Sequence, residues 1–269
     1  MKTGSILVVG AGNMGEALIK GICGSRGAKA VSFYETRKDR AKLITSKYKV
    51  KSRADLPSAL RDSSMIIMAV KPKDLLKLAG EVSAQAGVMK DKILISVAAG
   101  IKISAIKEAV GPGARIVRIM PNTPALVGKG VFAAAYSSEV RNADKKAVAA
   151  VFSVSGTYVE VEEKNMDAVT ALSGSGPAFV FMFMDALIKG GVRAGLPAAL
   201  AKKLAIETVA GSAALFKESG RSVSDLIESV ASPGGTTIEG IYALEKGSFT
   251  GTVCEAVNNA YRKSVELGK

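Results

Sequence analysis

Ile6-Leu7-Val8-Val9-Gly10-Ala11-Gly12-Asn13-Met14-Gly15 is the stretch whose reading decides the fold. Four consecutive apolar residues, rich in β-branched side chains, predict a short strand buried on both faces. The GxGxxG that follows closes this strand and opens a helical pattern running from Asn13 to Ile22. Each glycine has its own physical reason in a dinucleotide turn. Gly10 allows the tight bend, Gly12 lets a pyrophosphate approach the backbone, and Gly15 lets helix and strand pack closely. The unpaired N–H groups of the helix start then face the phosphates. Gly10, Ala11, Gly12, Asn13, Met14 and Gly15 are therefore candidate cofactor residues.

Outward from this turn, short apolar runs alternate with helical spacing. Val31–Tyr34, Met65–Val70, Ile93–Val97, Ile116–Met120, Val131–Tyr136 and Thr157–Val161 read as strands. Arg37–Tyr48, Lys73–Ala86, Ile103–Val110 and a segment near Ala143–Phe152 read as helices between them. Fully apolar strands alternating with helices predict a Rossmann-type parallel sheet covered on both faces. After about Glu163 the strand-like runs stop. Ala178–Val192, Pro197–Phe216, Val223–Val230, Thr237–Leu244 and Gly251–Leu267 are helical, with Pro197 expected at a first helical position and Ser222 to Asp225 forming a capping box. The expected plan is α/β: a dinucleotide-binding domain over 1–163 and an all-helical substrate and dimerisation domain over 164–269. Helices rich in Ala, Gly and Val on more than one face favour an oligomer with helices interleaved between copies.

The strand ends supply further candidates. Glu35 stands 20 residues after Gly15, where an acidic side chain accepts hydrogen bonds from the adenosine ribose and favours NAD. Arg37, Lys38, Arg40, Lys42, Lys47, Lys49, Lys51 and Arg53 follow, with Asp39 as the only acid among them. Arg37 and its neighbours could meet a 2′-phosphate, although most of this run reads as a solvated helix face. NADH and NADPH both stay open. Ala69-Val70-Lys71-Pro72 and Val97-Ala98-Ala99 end two more strands, where small side chains leave room for a flat ring.

Composition limits the chemistry. The 269 residues carry a formal charge of +13, and Lys and Arg exceed Asp and Glu by 27 to 14 up to Lys164 but match them 10 to 10 afterwards. An anionic cofactor or a nucleic acid could explain a basic first part, but no aromatic interleaving or recognition motif accompanies it. There is no His, so imidazole cannot carry protons here. Cys23 and Cys254 are far apart, outside any CxxC pair, and no dense Cys/His cluster points to a metal. The stretch Ala168 to Met184, interrupted by Gly174, Gly176 and Pro177, is not expected to cross a membrane. Met1 to Ser5 lack the layout of a secretory signal, and cytoplasm is the expected compartment.

Three further segments are decisive in combination: Met120-Pro121-Asn122-Thr123-Pro124, Ala171-Leu172-Ser173-Gly174-Ser175-Gly176-Pro177-Ala178, and Ser232-Pro233-Gly234-Gly235-Thr236-Thr237. With the opening turn and Ala69–Pro72, in that order over nearly the whole chain, the sequence resembles the pyrroline-5-carboxylate reductases. The resemblance implies reduction of the cyclic imine 1-pyrroline-5-carboxylate to L-proline by NADPH or NADH, in a homodimer or ring of dimers. It assigns Thr237 to the ring nitrogen as the catalytic hydroxyl, and Glu163 to the neighbourhood of the substrate. It places Asn122 with the cofactor contacts. Ser232, Gly234, Gly235 and Thr236 complete the expected substrate set. The residues make chemical sense of that set, because bare backbone before a helix can bind a carboxylate. Thr236 with Glu239 also fits a capping box, which would leave the Thr237 hydroxyl free. A protonated imine is already electrophilic, so hydride transfer needs positioning more than a strong general acid.

One departure is visible: many members carry an Asn before the helix leading to Ala69–Pro72, whereas this chain reads Ala54-Asp55-Leu56-Pro57, so that ribose contact is not carried over. Two other readings compete. A β-hydroxyacid dehydrogenase or another imine reductase would share the two-domain plan, with Lys189, Lys202 and Lys203 as the helical lysines available to the former. A nucleotide-sensing, nucleic-acid-binding regulator would use the same turn without turnover.

Overall fold

The computed structural model describes residues 5–84 and 91–268. The chain forms two compact units, one running to Ser175 and taking in the chain again from Ala260, the other spanning Gly176–Asn259.

The first unit is built on eight strands: β1 (Ile6–Val9), β2 (Val31–Tyr34), β3 (Lys51–Ser52), β4 (Met65–Met68), β5 (Ile93–Ser96), β6 (Arg115–Pro121), β7 (Gly130–Tyr136) and β8 (Gly156–Glu160). They lie in the order β3-β2-β1-β4-β5-β6-β7-β8. Period-two alternation sorts β1 between two cores. Ile6 and Val8 join Leu18, Ile19 and Ile22 of α1 (Asn13–Arg26). Leu7 and Val9 join Leu75 and Leu78 of α4 (Pro72–Ser83) and Ile103 and Ile106 of α5 (Ile103–Val110). Each such side chain, fully buried, contributes about 1.5–3 kcal/mol. The expected strand limits of β1 and β2 and the limits of α5 are met. α2 (Lys38–Tyr48) and α6 (Asn142–Phe152) lie within a residue of expectation. Residues 85–86 of the expected 73–86 helix lie outside the described residues.

The parallel sheet expected is present, with one exception at β7, which pairs antiparallel with β6 from Val117↔Tyr136 to Pro121↔Phe132. The cause is connection length. Only Asn122–Lys129, containing the 3-10 turn Thr123–Val127, joins the two strands, and a parallel return needs a crossover of a dozen or more residues. β8 then pairs parallel with β7. Short β3 and α3 (Leu56–Arg61) were not expected; α3 starts on Asp55, whose carboxylate accepts from Ser58 N at 2.8 Å.

Beyond Glu160 the pattern change and the compact-unit change do not coincide. The short helix α7 (Met166–Val169) carries Met166 into the core beside α5, and Ala171 is also fully buried. Ser264 Oγ on α12 (Phe249–Leu267) donates to the Asp167 carboxylate at 2.7 Å, returning the chain's end to this unit. The glycines and proline after Ala171 do not interrupt the helical run as expected. A π-helical turn over Thr170–Gly174 keeps it going, with Ser175 N donating to Thr170 O at 2.9 Å. By length and composition the run Glu163–Arg193 could cross a membrane, with a mean hydropathy of 1.5 in its best window.

In the second unit, α8 (Gly176–Arg193) packs on α9 (Ala198–Ser219) where Gly191 faces Ala201. Pro197 is the N-cap of α9, one position before the expected one. Ser222 and Asp225 form the expected capping box on α10 (Val223–Glu228). α11 (Thr236–Lys246) follows, and the Phe183 and Phe249 rings lie 5.9 Å apart. Only Ala201 and Ala205 are buried in these helices, whereas Phe181 is 62% and Met182 73% exposed.

Candidate active site

Register places the nucleotide candidates together. Val9 pairs with Met68, and Met68 with Ser96, so the chain leaves β1, β4 and β5 at one sheet end through Gly10, Ala69 and Val97. Gly10 N donates to Tyr34 O at 2.8 Å, and Ala69 N to Val9 O at 2.8 Å. Gly10 has φ +93°, and a Cβ there would stand 2.6 Å from the Ala69 carbonyl oxygen, so only glycine fits. A Cβ on Gly15 would run into the Gly10 carbonyl, which is the close helix–strand approach expected of it. At Gly12 no atom lies within 4 Å of the missing Cβ, and no side chain caps the start of α1. That open, donor-lined cradle fits a pyrophosphate. Asn13 and Met14 open α1 beside it. Lys71 and Pro72 open α4, with Val70 just before them, while Val97 and Ala99 are half-buried and Ala98 is buried.

The Ala11 peptide is gripped from both sides. Its N–H donates to Glu35 Oε2 at 2.9 Å. Its carbonyl accepts from Arg40 Nε at 2.7 Å. The Glu35 carboxylate also accepts from Arg37 N and Arg37 Nε, both at 3.1 Å, and from Arg37 Nη2 at 3.3 Å. Burial opposes ionisation of Glu35, but the Arg37 guanidinium and the Arg37 and Ala11 amides outweigh it and hold its pKa below the ordinary value. Behind the turn, Glu16 accepts from Arg40, from Lys47 Nζ at 2.8 Å and from Tyr48 Oη at 2.7 Å. Lys47 is the first cause that pulls the Glu16 pKa down to about 2, with burial opposing it and Tyr48 and Arg40 assisting. Sequence reasoning missed Glu16 because its partners lie 24 or more residues away. Much of the basic run is thus tied to carboxylates, with Arg53 paired to Asp62 at 2.9 Å.

Asn122 stands buried after β6. Its Oδ1 accepts from Val131 N at 2.8 Å, and its Nδ2 donates to Ser173 O at 3.2 Å. It therefore ties the Met120–Pro124 segment to the π-helical turn, and Met120 packs directly over Gly174. Glu163 uses Oε1 to accept from Ile103 N at 2.7 Å and Arg118 Nη1 at 3.3 Å. It caps α5 rather than only starting its own turn, and Arg118, buried at 4% exposure, is the partner that sequence reasoning did not find.

In the second unit, Ser232 to Thr237 form a tight bend. Gly235 N donates to Ser232 O at 3.0 Å, Gly234 has φ +66°, and the space beside Gly234 is open. The capping-box expectation for Thr236 and Glu239 is corrected here. Gly235 is the N-cap without a side-chain acceptor, and Thr236 is already helical, so Glu239 falls one position too late for the box. The first amides of α11 are left uncapped by side chains, with the Thr236 and Thr237 hydroxyls in the same turn. Of the rival lysines, Lys189 pairs with Asp185 at 2.6 Å, and Lys202 and Lys203 are exposed.

Residues 163–267 match the family model for pyrroline-5-carboxylate reductase dimerisation, and residues 5–100 match that for coenzyme F420-dependent NADP oxidoreductases. A pyrroline-5-carboxylate reductase of Synechocystis sp. is 39% identical over 97% of this chain and 97% of its own. The crystal structure of a Plasmodium falciparum pyrroline carboxylate reductase with NADP bound is 35% identical, with a TM-score of 0.90 over the whole of both chains. That of a Coxiella burnetii pyrroline-5-carboxylate reductase is 29% identical, with a TM-score of 0.92 over the whole of both. This chain belongs to the pyrroline-5-carboxylate reductase family.

Proposed function

We propose that this protein reduces 1-pyrroline-5-carboxylate to L-proline with NADPH or NADH. The observation that carries the reading is the pair of glycine-led helix starts, at Gly12 and Gly235, neither of which is capped by a side chain. One fits a pyrophosphate and the other a carboxylate. Kinship over the whole chain with named reductases supports it.

A bound reduced nicotinamide supplies the hydride. The chain's own residues hold the acceptor. Amides of Gly234 and Thr236, with the Ser232 hydroxyl, hold the substrate carboxylate over the bare Gly235 backbone, whose own N–H closes the bend on Ser232 O. Thr237 Oγ1 orients the ring nitrogen, so that hydride adds to the carbon of the protonated C=N bond and its π electrons become the nitrogen lone pair. The product amine forms without a general acid at that step, which suits a chain without His. Glu163 and Asn122 rest on the resemblance alone as pocket residues, because their geometry here is that of a helix cap and a backbone tie.

The dimerisation match supports self-association. We place the protein in the cytoplasm as a dimer or ring of dimers, a setting consistent with its free Cys23 and Cys254. Purified protein is expected to oxidise NADPH or NADH only when 1-pyrroline-5-carboxylate is added. Turnover of a hydroxy acid instead would overturn the reading. Thr237→Val should lower kcat by about a hundredfold or more, with cofactor affinity held within about threefold; a fully active variant removes Thr237 from its role.

A further inference from the structure

Among the described residues of α12, Ser264 alone is buried, at 4% exposure. A helix so exposed ordinarily turns an apolar side chain inward, and this one buries a hydroxyl. A buried hydroxyl needs a partner, and Ser264 Oγ donates to the Asp167 carboxylate at 2.7 Å. Asp167 lies on α7, and its neighbours in sequence hold one loop, residues 97–102, which leaves β5 at the nucleotide end of the sheet. Glu163 Oε1 accepts from Ile103 N just past that loop, at 2.7 Å. Met166 is fully buried in the core that holds Ala98 and Ile103. Past Ser264, the end of α12 reaches the same loop directly. Gly100 has φ +79°, and a Cβ there would stand 3.2 Å from the Leu267 carbonyl oxygen. A Cβ on Gly268 would stand 3.1 Å from the Gly100 carbonyl oxygen. Two bare backbones thus pass closely, as only glycine allows.

We propose that Ser264 and Asp167 are positioning residues for hydride transfer. Their bond seats the end of α12 on Gly100 and so fixes the loop whose Val97, Ala98 and Ala99 leave room for the nicotinamide ring. The inference rests on the proposed nucleotide site and deepens it. The loop is anchored at its ends by β5 and by the Glu163 cap. Its middle, at Gly100, has no side chain with which to anchor itself. α7 and the end of α12 supply that anchor from outside. A shifted loop leaves the Gly10–Gly15 cradle intact yet misaligns hydride donor and acceptor, and rate responds to that alignment far more steeply than affinity does. In this role Ser264 and Asp167 act through Gly100 and touch neither cofactor nor substrate.

Two readouts on the full-length protein test this. The first is hydrogen exchange of the protein without cofactor. In Ser264→Ala, exchange should speed up about threefold or more at Val97 and Ile103, the bonded amides that flank the loop, while β1 keeps native protection. The second is turnover with 1-pyrroline-5-carboxylate, measured well below the thermal midpoint. There kcat should fall about tenfold or more, with cofactor affinity and substrate KM held within about threefold. The isotope effect from cofactor deuterated at the transferred position should grow. Asp167→Asn keeps an oxygen that accepts from Ser264 and should stay near native in both readouts. Asp167→Ala should match Ser264→Ala, and the double variant should be no worse than either. A merely structural bond would lower the midpoint and leave kcat and the isotope effect native. That result, unchanged exchange at Val97 and Ile103, a loss of protection spread over all strands, or equal losses in Asp167→Asn and Asp167→Ala would each overturn the proposal. If the native protein oxidises neither cofactor, the proposed function fails and this role with it, a result that the exchange data keep distinct from a misplaced anchor.

Discussion

At the scale of single residues, the Gly10–Gly15 turn owes its shape to charges outside its own motif. Glu16 is the hub, since three side chains from α2 converge on it and one of them, Arg40, also holds the Ala11 carbonyl. The pKa of Glu16 is drawn from the ordinary 4.5 to about 2, first by Lys47 against the opposing effect of burial. A carboxyl whose pKa is lower folded than unfolded adds stability above its unfolded value and loses it as pH falls towards the folded one. The thermal midpoint should therefore fall as the solution is taken from about pH 5 to about pH 2, and Glu16→Gln should flatten that part of the curve. Parallel acid limbs for the two proteins would mean that Glu16 is not the group responsible. The fingerprint glycines were legible because each demands a backbone that side chains forbid. The grip on Ala11 was not, because it joins residues far apart in sequence.

Among elements, close approach of α1 to β1 is what turns a motif into a site. Gly15 is where the helix meets the strand end, and an added methyl would press on the Gly10 carbonyl. Backbone cannot rotate away as a side chain tip can, so Gly15→Ala must tilt α1 or open the turn. Overpacking of this kind costs about 1–3 kcal/mol. Thermal unfolding should show a lowered midpoint, and nucleotide binding should weaken more than substrate-independent stability alone predicts; an unchanged nucleotide affinity would show that the turn tolerates the shift. Strands of continuous apolar residues announced themselves, and so did α5, with its apolar face at helical spacing. The direction of β7 was not written in any residue of its own. It follows from the shortness of the link before it. The π-helical turn escaped notice for a related reason. Its Gly and Ser residues suggest a break, whereas a single wide turn and the Asn122–Ser173 tie keep the helix running.

For the molecule as a whole, the deciding fact is how much apolar surface its helices leave uncovered. Phe181, Met182, Leu215 and Tyr242 are each more than half exposed, more than a single copy of the chain has reason to leave in water. The alternatives for covering this surface are lipid, which the run Glu163–Arg193 could enter by length and composition, and a second copy, which the dimerisation match over residues 163–267 supports. The two make different demands on concentration. If copies cover each other, folding is linked to association and the unfolding midpoint rises with protein concentration. Burying one Phe is worth about 1.5–3 kcal/mol, so Phe181→Glu should shift the assembly towards monomer in sedimentation, lower the midpoint and increase its dependence on concentration. Native protein purified without detergent should sediment as a dimer or larger. Recovery only from lipid or detergent, or a monomer whose midpoint ignores concentration, would assign those helices to another partner. The cluster around the first helix takes no side in that choice, because Arg37, Arg40, Lys47 and Arg53 pair with Glu35, Glu16 and Asp62 within one copy. Assembly is thus a matter for the uncharged faces of the second unit, where the sequence already showed Ala, Gly and Val on more sides than one helix could bury.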